Sequence, residues 1–179
     1  AWHTRTAAAL LLLTLSLQVH ARTLNVGPAH ERKSIGKVPW ESLAPGDTVR
    51  IHWRPKPYHE KWAICVAGTK EKPLTVTGIP GPEGKFPIID GTDATTRKEL
   101  DFWGENRAVI KVGGVRSTPE TMPSHIVIQG LEVRGARPPT TFVGSQGRTV
   151  YRDNAAAIWI EKGEHVIIRN CQLHDCANG

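Results

Sequence analysis

The sequence is poor in aromatic residues, methionine and cysteine, and these scarcities narrow the classes of protein that it can encode. Only 6% of the 179 residues are aromatic, one is methionine and three are cysteine. No CxxC or Cys/His spacing occurs, so a zinc-binding module is excluded, and three cysteines allow at most one disulfide. Hydrophobic residues still make up 39%, which excludes a disordered chain, and 17 glycines with 13 prolines favour strands and turns over packed helices.

No apolar run is long enough to cross a bilayer. The longest, AAALLLLTLSL from Ala7 to Leu17, has eleven residues, whereas a spanning helix needs about 18 or more. Arg5 precedes this run and the small residue Ala21 follows it, which is typical of a secretory signal peptide cleaved after Ala21. An uncleaved interfacial anchor is the alternative. We therefore expect residues 1–21 to be a signal peptide, and the mature protein to be secreted or periplasmic without membrane contact.

The charge is basic but not concentrated. Lys and Arg number 23 against 17 Asp and Glu, giving a formal net charge of +6. The basic residues are scattered along the chain and do not form a stripe, which argues against nucleic acid as the partner. In an exported protein, this excess indicates either acidic glycans as partners or ordinary surface charge.

A repeat with an offset of forty residues occupies the second half of the chain. HIVIQGLEVRGA from His125 to Ala136 aligns with HVIIRNCQLHDC from His165 to Cys176, and apolar positions in one meet apolar or small residues in the other. Each copy is predicted to be two strands with alternating side chains, joined at a single-residue corner, Gly130 or Asn170. Both residue types tolerate bent or left-handed backbone.

A third strand is predicted before each copy, and an earlier set of strands follows the same order. These strands are Ala108–Val112, Ala157–Glu161, and the earlier set Ala63–Val66, Leu74–Thr77 and Pro87–Asp90. Three strands in each of about three units predict an all-β fold, a right-handed single-stranded parallel β-helix, with a β-sandwich as the alternative. The predicted inward stacks are Ile64, Ile110 and Ile158; Val66, Val112 and Ile160; Ile126 and Val166; Ile128 and Ile168; Val133 and Leu173.

Three stretches carry a resemblance to a known family. LAPGDTVRIHW (Leu43–Trp53), LTVTGIPGPEGKFPIIDG (Leu74–Gly91) and HVIIRNCQLHDCANG (from His165) resemble the amino-terminal portion of secreted bacterial right-handed parallel β-helix proteins, the pectate-lyase-like superfamily. The resemblance covers nearly all of the chain after the signal peptide. Its motifs mark the fold better than the activity, because the superfamily includes polysaccharide lyases, pectin-modifying hydrolases, mannuronan epimerases and members with no known reaction.

The resemblance also implies how the chain is divided. Residues 22–62 are expected to form an amino-terminal strand and cap, and residues 63–179 the coils of a β-helix that is truncated at its carboxyl end. Lyases of this type usually carry their calcium ligands and base in middle coils. Catalytic residues and any calcium site are therefore expected beyond this sequence, which itself shows no cofactor, and the complete protein is expected to be a monomer.

One outward column on the first predicted strand of each coil suggests a substrate-binding groove. Cys65, Lys111 and Trp159 are predicted to stack there, with Glu161 one step further along its strand. A lysine can neutralise the carboxylate of an acidic sugar, and an indole face can contact the C–H groups of its ring. Lys111, Trp159 and Glu161 are therefore the predicted substrate-binding residues, the alternative being a solvated lysine and a tryptophan packed under the long loop 136–154.

Three other groups of residues are weaker candidates. Asp90, Asp93, Glu99 and Asp101 could hold calcium, although their spacing matches no calcium loop and a solvated acidic turn is the alternative. His125 and His165 recur before equivalent strands and could bind a metal or make strand-entry hydrogen bonds. The segment HWRPKPYHEKW, His52–Trp62, could be a sugar-binding lip or a cap on the amino-terminal end of the solenoid.

These observations predict an exported carbohydrate-active protein. A polysaccharide lyase acting on a uronate-containing polysaccharide is the main hypothesis. A noncatalytic glycan-binding or surface β-helix protein is the alternative, and a glycoside hydrolase, which needs two carboxylates facing a groove, is a third. The sequence leaves open whether the protein is an enzyme.

Overall fold

The structure, a computed structural model, describes residues 20–116 and 122–178. The predicted signal peptide therefore lies outside the described residues except for its last two positions, His20 and Ala21. Within the described ranges, no helix is long and apolar enough to cross a membrane.

Short strands dominate the described part of the chain, as expected from its alternating apolar residues. In β4, for example, alternate side chains of LTVTGI are buried, which is the pattern of a strand with one face on a core. The strands are β1 (Thr23–Val26), β2 (Thr48–His52), β3 (Glu60–Ile64), β4 (Leu74–Ile79), β5 (Ile88–Asp90), β6 (Ala94–Thr96), β7 (Ala108–Val112), β8 (Ser124–Gln129), β9 (Glu132–Arg134), β10 (Thr141–Gly144), β11 (Gly147–Val150), β12 (Ala156–Ile160), β13 (Glu164–Arg169) and β14 (Gln172–His174). Short 3-10 helices cover Ile35–Lys37, Trp40–Ser42, Pro82–Gly84 and Glu105–Arg107.

The strands form three sheets. Sheet I has the order β1-β2-β4-β8-β13, sheet II the order β5-β9-β14, and sheet III the order β11-β10-β6-β3-β7-β12. Neighbouring strands are parallel throughout these sheets except in the antiparallel hairpin β10–β11. The predicted all-β fold with parallel sheets is therefore confirmed. From β4 onward the chain passes from sheet I to sheet II to sheet III and back, so crossovers join the parallel neighbours.

The predicted register of the second half is confirmed. The structure aligns Ile158 with Ile110 and Ile160 with Val112 in sheet III. The same holds for the predicted pairs of sheets I and II, Ile126 with Val166, Ile128 with Ile168, and Val133 with Leu173. The corners between sheets I and II contain two residues each, not one, and their first residues, Gly130 and Asn170, have the left-handed φ values of 68° and 49°.

The predicted register of the first coil is wrong by two residues. Trp62, not Ile64, lies opposite Ile110, and Ile64 lies opposite Val112. A shift by two keeps the same side chains facing inward, so the alternation of the sequence does not distinguish the two registers. Trp62 is fully buried and stacks on Trp40 with 5.3 Å between ring centroids, so an indole fills the interior position predicted for an isoleucine.

A buried carboxylate anchors the start of the fold at the PGD turn. Asp47 has no solvent exposure, and its side chain accepts hydrogen bonds from the backbone amides of Ala44 at 2.9 Å and Arg22 at 2.7 Å. The Arg22 guanidinium adds contacts at 2.6 and 3.0 Å. Burial alone raises the pKa of Asp47, but these hydrogen bonds outweigh it and hold the pKa below its usual value.

Candidate functional site

The segment 101–107 crosses the outward face of β7 and β12 and covers the predicted groove. Gly104 lies directly on the indole of Trp159, since a Cβ added to Gly104 would be 2.7 Å from that ring. Gly104 also has a left-handed φ of 59°, which suits glycine. The close approach of backbone to indole therefore depends on this glycine.

The three predicted substrate-binding residues are brought together beneath this segment. The Lys111 ammonium contacts the Glu161 carboxylate, donates to the Trp103 carbonyl, and lies 4.5 Å from the centroid of the Trp159 ring. Lys111 has no solvent exposure, whereas Trp159 is half-buried and Glu161 is exposed. Lys111 is thus paired and covered, and its role in substrate binding remains a prediction.

Cys65 is not part of this column. Ala63 lies opposite Lys111, which in turn lies opposite Trp159. Cys65 and Val66 follow the end of β3 at Ile64. The cause is the two-residue shift of the first coil described above.

Arginine side chains and indoles make a surface around the covering segment. The Arg107 guanidinium lies 4.3 Å from the Trp159 ring, and the Arg116 guanidinium lies 3.7 Å from the Trp103 ring. The Trp103 side chain is 58% exposed. We call Trp103, Arg107, Arg116 and Trp159 the basic-aromatic surface.

A cavity of about 380 Å³ borders the basic-aromatic surface. It lies between the segment 101–107 and the β10–β11 hairpin, and its charged lining residues are Glu105, Arg116 and Arg148. The Glu105 carboxylate accepts a hydrogen bond from the Ser145 amide at 3.1 Å and so fixes the hairpin against the covering segment. This contact fixes the position of the hairpin relative to the covering segment on one side of the cavity.

A buried lysine lies under the floor of this cavity. Lys61 donates to the Ala108 carbonyl and lies 3.1 Å from the Tyr151 hydroxyl, which donates to the Gly91 carbonyl at 3.0 Å. Its ammonium is 4.3 Å from the ring of Phe142, a residue that lines the cavity. Burial lowers the pKa of Lys61 well below its usual value, and burial raises that of Tyr151.

The acidic residues considered as calcium ligands are paired with arginines instead of with one another. Asp90 lies 2.9 Å from Arg134, Asp93 lies 2.8 Å from Arg148, and Asp101 lies 3.0 Å from Arg116. Glu99 is exposed. In the described ranges, no group of three or more His, Cys, Asp or Glu side chains is placed to hold a metal ion.

The two recurring histidines stack on each other. The rings of His125 and His165 are 4.5 Å apart and inclined by 30°, and both residues have left-handed φ values, 50° and 51°. Ring nitrogens of stacked imidazoles direct their lone pairs in nearly parallel planes and do not converge on one ion. The pair is therefore a stacking contact on the outside of sheet I.

A polar network on sheet II was not predicted. Arg134 lies 2.9 Å from Asp90 and 3.2 Å from Glu132, and His174 lies 3.3 Å from Glu132 and 3.0 Å from Asp175. The forty-residue repeat contained the necessary signal, because it aligns the outward positions of β9 with those of β14. The prediction from this repeat covered only the inward, apolar positions.

Comparison of the chain with family models, with curated proteins and with solved structures found no match.

Proposed function

We propose that this chain forms coils of a right-handed parallel β-helix in an exported protein that acts on an acidic, uronate-containing polysaccharide. The repeated passage of the chain through three parallel sheets in the same order supports a solenoid. Right-handedness follows from the strong preference of parallel crossovers for that hand. The resemblance to the pectate-lyase-like superfamily agrees with both inferences.

The proposed substrate class is inferred from the basic-aromatic surface. Trp103 is exposed with Arg116 on its ring, and Trp159 is half-exposed with Arg107 on its ring. An indole contacts the C–H face of a sugar ring, and a guanidinium binds a carboxylate through two parallel hydrogen bonds. A polymer of uronate units presents both groups at each repeat.

Polysaccharide lyase chemistry is the reaction proposed for this substrate. A base removes the C5 proton, the bond between C4 and the glycosidic oxygen breaks, a C4–C5 double bond forms, and the leaving oxygen takes a proton. A cation on the uronate carboxylate makes the C5 proton more acidic, and Arg107 and Arg116, the latter also paired with Asp101 at 3.0 Å, are the side chains proposed to supply it.

Noncatalytic glycan binding is the second candidate, and one observation favours it. Lys111, the predicted cation of the groove, is fully buried and paired with Glu161. Such a lysine supports the surface through Trp159 without contacting substrate. Under this alternative the same arginines and indoles bind the polymer and no bond is broken.

Binding is tested with the complete chain, polygalacturonate, alginate and a glycosaminoglycan, with a neutral glucan as reference. We expect titration calorimetry to detect binding to at least one acidic polymer, and Trp103→Ala or Arg116→Gln to weaken it about tenfold. Arg50→Gln, an exposed arginine on sheet I, is the matched control and should leave affinity unchanged. Absence of binding to all three acidic polymers, or no effect of either variant on that binding, would overturn the proposal.

Catalysis is tested separately by following the absorbance of unsaturated products from the same polymers, with and without chelator. New absorbance that depends on Arg107 and Arg116 supports the lyase. Binding without any new chromophore selects the noncatalytic alternative.

A further inference from the structure

A second groove lies on sheet II, a different sheet from the basic-aromatic surface. Its volume is about 590 Å³, within the range of about 300–1,000 Å³ that is typical of small-molecule sites. We call it the Trp53 groove. It is lined by Trp53, Glu83, Lys85, Phe86, Ile88, Glu132 and Gln172 among other residues.

The floor of the groove is a row of side chains from three adjacent strands. Ile88, Glu132 and Gln172 occupy equivalent positions of β5, β9 and β14 and lie side by side. Neighbouring strands are about 4.8 Å apart, so the floor presents the Glu132 carboxylate and the Gln172 amide side by side. Gln172 is exposed and its amide is accessible to a ligand.

The carboxylate on this floor is held in place by an arginine and a histidine on the same face of sheet II. Glu132 Oε1 lies 3.2 Å from Arg134 Nη1 and 3.3 Å from His174 Nε2, and the Glu132 side chain is only 17% exposed. Arg134 is fixed in turn by Asp90 at 2.9 Å. A carboxylate fixed in this way needs little reordering to accept hydrogen bonds from a ligand.

The walls of the groove are aromatic and fixed as well. Gly81 leaves no space for a Cβ against the Trp53 indole, so the ring rests on the backbone there. The loop after Trp53 is braced by Arg54, which donates to the carbonyls of Lys56 at 2.9 Å and Pro57 at 2.7 Å. Phe86 on the opposite turn is half-buried and leaves part of its ring exposed.

We infer that the Trp53 groove is a binding site for a neutral pyranose unit. Partly exposed aromatic rings contact the C–H faces of a sugar, and a fixed carboxylate with an adjacent amide binds its hydroxyls. The lining contains two glutamates and one lysine, so its charge disfavours a ligand that carries a carboxylate. The inference does not depend on the function proposed for the basic-aromatic surface.

The groove is tested by titrating the complete chain with cellohexaose, mannohexaose and xylohexaose, with hexagalacturonate as the acidic reference. We expect at least one neutral hexasaccharide to bind, and both Trp53→Ala and Gln172→Ala to weaken it about tenfold. Gln172 is exposed, so its variant tests the groove even where loss of Trp53 disturbs the fold. Thermal unfolding of each variant verifies that the fold is retained.

Trp103→Ala is the matched control because Trp103 is an exposed indole outside the groove. It should leave the affinity for the neutral hexasaccharide unchanged while it weakens binding of acidic polymer. The inference is overturned if none of the three neutral hexasaccharides binds, if Gln172→Ala binds as the unaltered protein does, or if hexagalacturonate binds more tightly through Trp53. Each of these results leaves the test of the basic-aromatic surface intact.

Discussion

Lys61 and Asp47 are both buried, and their surroundings give them opposite effects on stability. Asp47 is surrounded by donors, including the Arg22 guanidinium, so its charged form is favoured in the folded protein. Lys61 has a carbonyl, a hydroxyl and two aromatic rings around it, and burial dominates over the attraction of Glu105. The aspartate therefore stabilises the fold at neutral pH, whereas the lysine charge is a cost.

Replacing Lys61 by methionine should stabilise the protein. The pKa of Lys61 is lowered in the folded protein, whereas in the unfolded chain the lysine stays protonated up to about pH 10.4. At neutral pH, folding therefore costs the free energy of burying or neutralising this charge. We expect Lys61→Met to raise the free energy of unfolding by about 1–2 kcal/mol at pH 7, and the gain to shrink as the pH approaches 10. Urea unfolding at several pH values measures this.

The matched control for Lys61→Met is Lys98→Met, since Lys98 is exposed. Its effect should be small and independent of pH. A loss of stability on changing Lys61 at pH 7 would mean that the hydrogen bonds of its amine outweigh the cost of its burial.

Replacing Asp47 by alanine should destabilise the protein by about 2–3 kcal/mol at neutral pH, because the amides of Ala44 and Arg22 lose a charged acceptor. The folded-state pKa of Asp47 is lowered, so its contribution is complete above about pH 4 and disappears as the pH falls through the folded-state value. The difference between the variant and the unaltered protein should therefore decrease in acid. Asp153→Ala, at an exposed position, serves as the control in the same pH series. An equal difference at pH 7 and below pH 3 would contradict this role.

Two glycines and an asparagine with a left-handed φ form a column where the strands of sheet I lead toward sheet II. Gly78, Gly130 and Asn170 follow equivalent positions of β4, β8 and β13. The Gly130 amide donates to the Asn170 carbonyl at 2.9 Å. A Cβ on Gly78 would overlap the carbonyl of Gly130, so Gly78 is needed for space, whereas Gly130 is needed for its φ of 68°.

Substitutions in this column should separate steric cost from backbone strain. We expect Gly78→Ala to be the most damaging, because backbone has to move, and Gly130→Ala to cost about 1–2 kcal/mol. Asn170→Gly should be close to neutral, since glycine adopts φ of 49° easily. Thermal unfolding of the three variants gives the order, and a Gly78→Ala protein as stable as Asn170→Gly would contradict it.

The strands β3 to β5, β7 to β9 and β12 to β14 were predictable from alternating apolar residues, whereas the short β6 and the β10–β11 hairpin were not predicted. Residues 136–154 were predicted as a loop, yet β10 and β11 lie within them. All four residues of β11 are exposed, so no alternation of apolar side chains distinguishes this strand from a loop. The corner residues Gly130 and Asn170 were found because their types favour left-handed backbone. Gly78 was not, because its close neighbour is in another coil.

The ligand affinities of the two proposed binding surfaces, which lie on different sheets, should depend differently on salt concentration. Ions screen charges over about 10 Å at 0.1 M, and a polyanion held by Arg107 and Arg116 depends on such charges. We expect affinity for acidic polymer to fall several-fold between 0.05 and 0.5 M NaCl. Affinity of the Trp53 groove for a neutral hexasaccharide should change little. If calorimetry shows that both affinities depend equally on salt, the two surfaces do not bind acidic and neutral ligands separately.

The residues of the candidate site that lie on paired strands were predictable from the sequence, and the segment that covers them was not. Lys111 and Trp159 were placed together correctly, because they occupy equivalent strand positions 48 residues apart. The covering segment with Trp103 was not foreseen, since the path of a loop over a sheet follows from contacts such as Lys111 to the Trp103 carbonyl. The same contact covers Lys111, whose predicted role in substrate binding stays a prediction.

The unequal connections between sheets have a consequence for engineering. The turns from β8 to β9 and from β13 to β14 contain two residues, whereas the connection from β9 to β12 contains the β10–β11 hairpin and the segments 135–140 and 151–155. Insertions and deletions should therefore be tolerated better in the connection from β9 to β12 than in these two turns. Grafting a foreign peptide in place of β11, whose residues are all exposed, would diversify the mouth of the neighbouring cavity while the buried Phe142 of β10 stays in place.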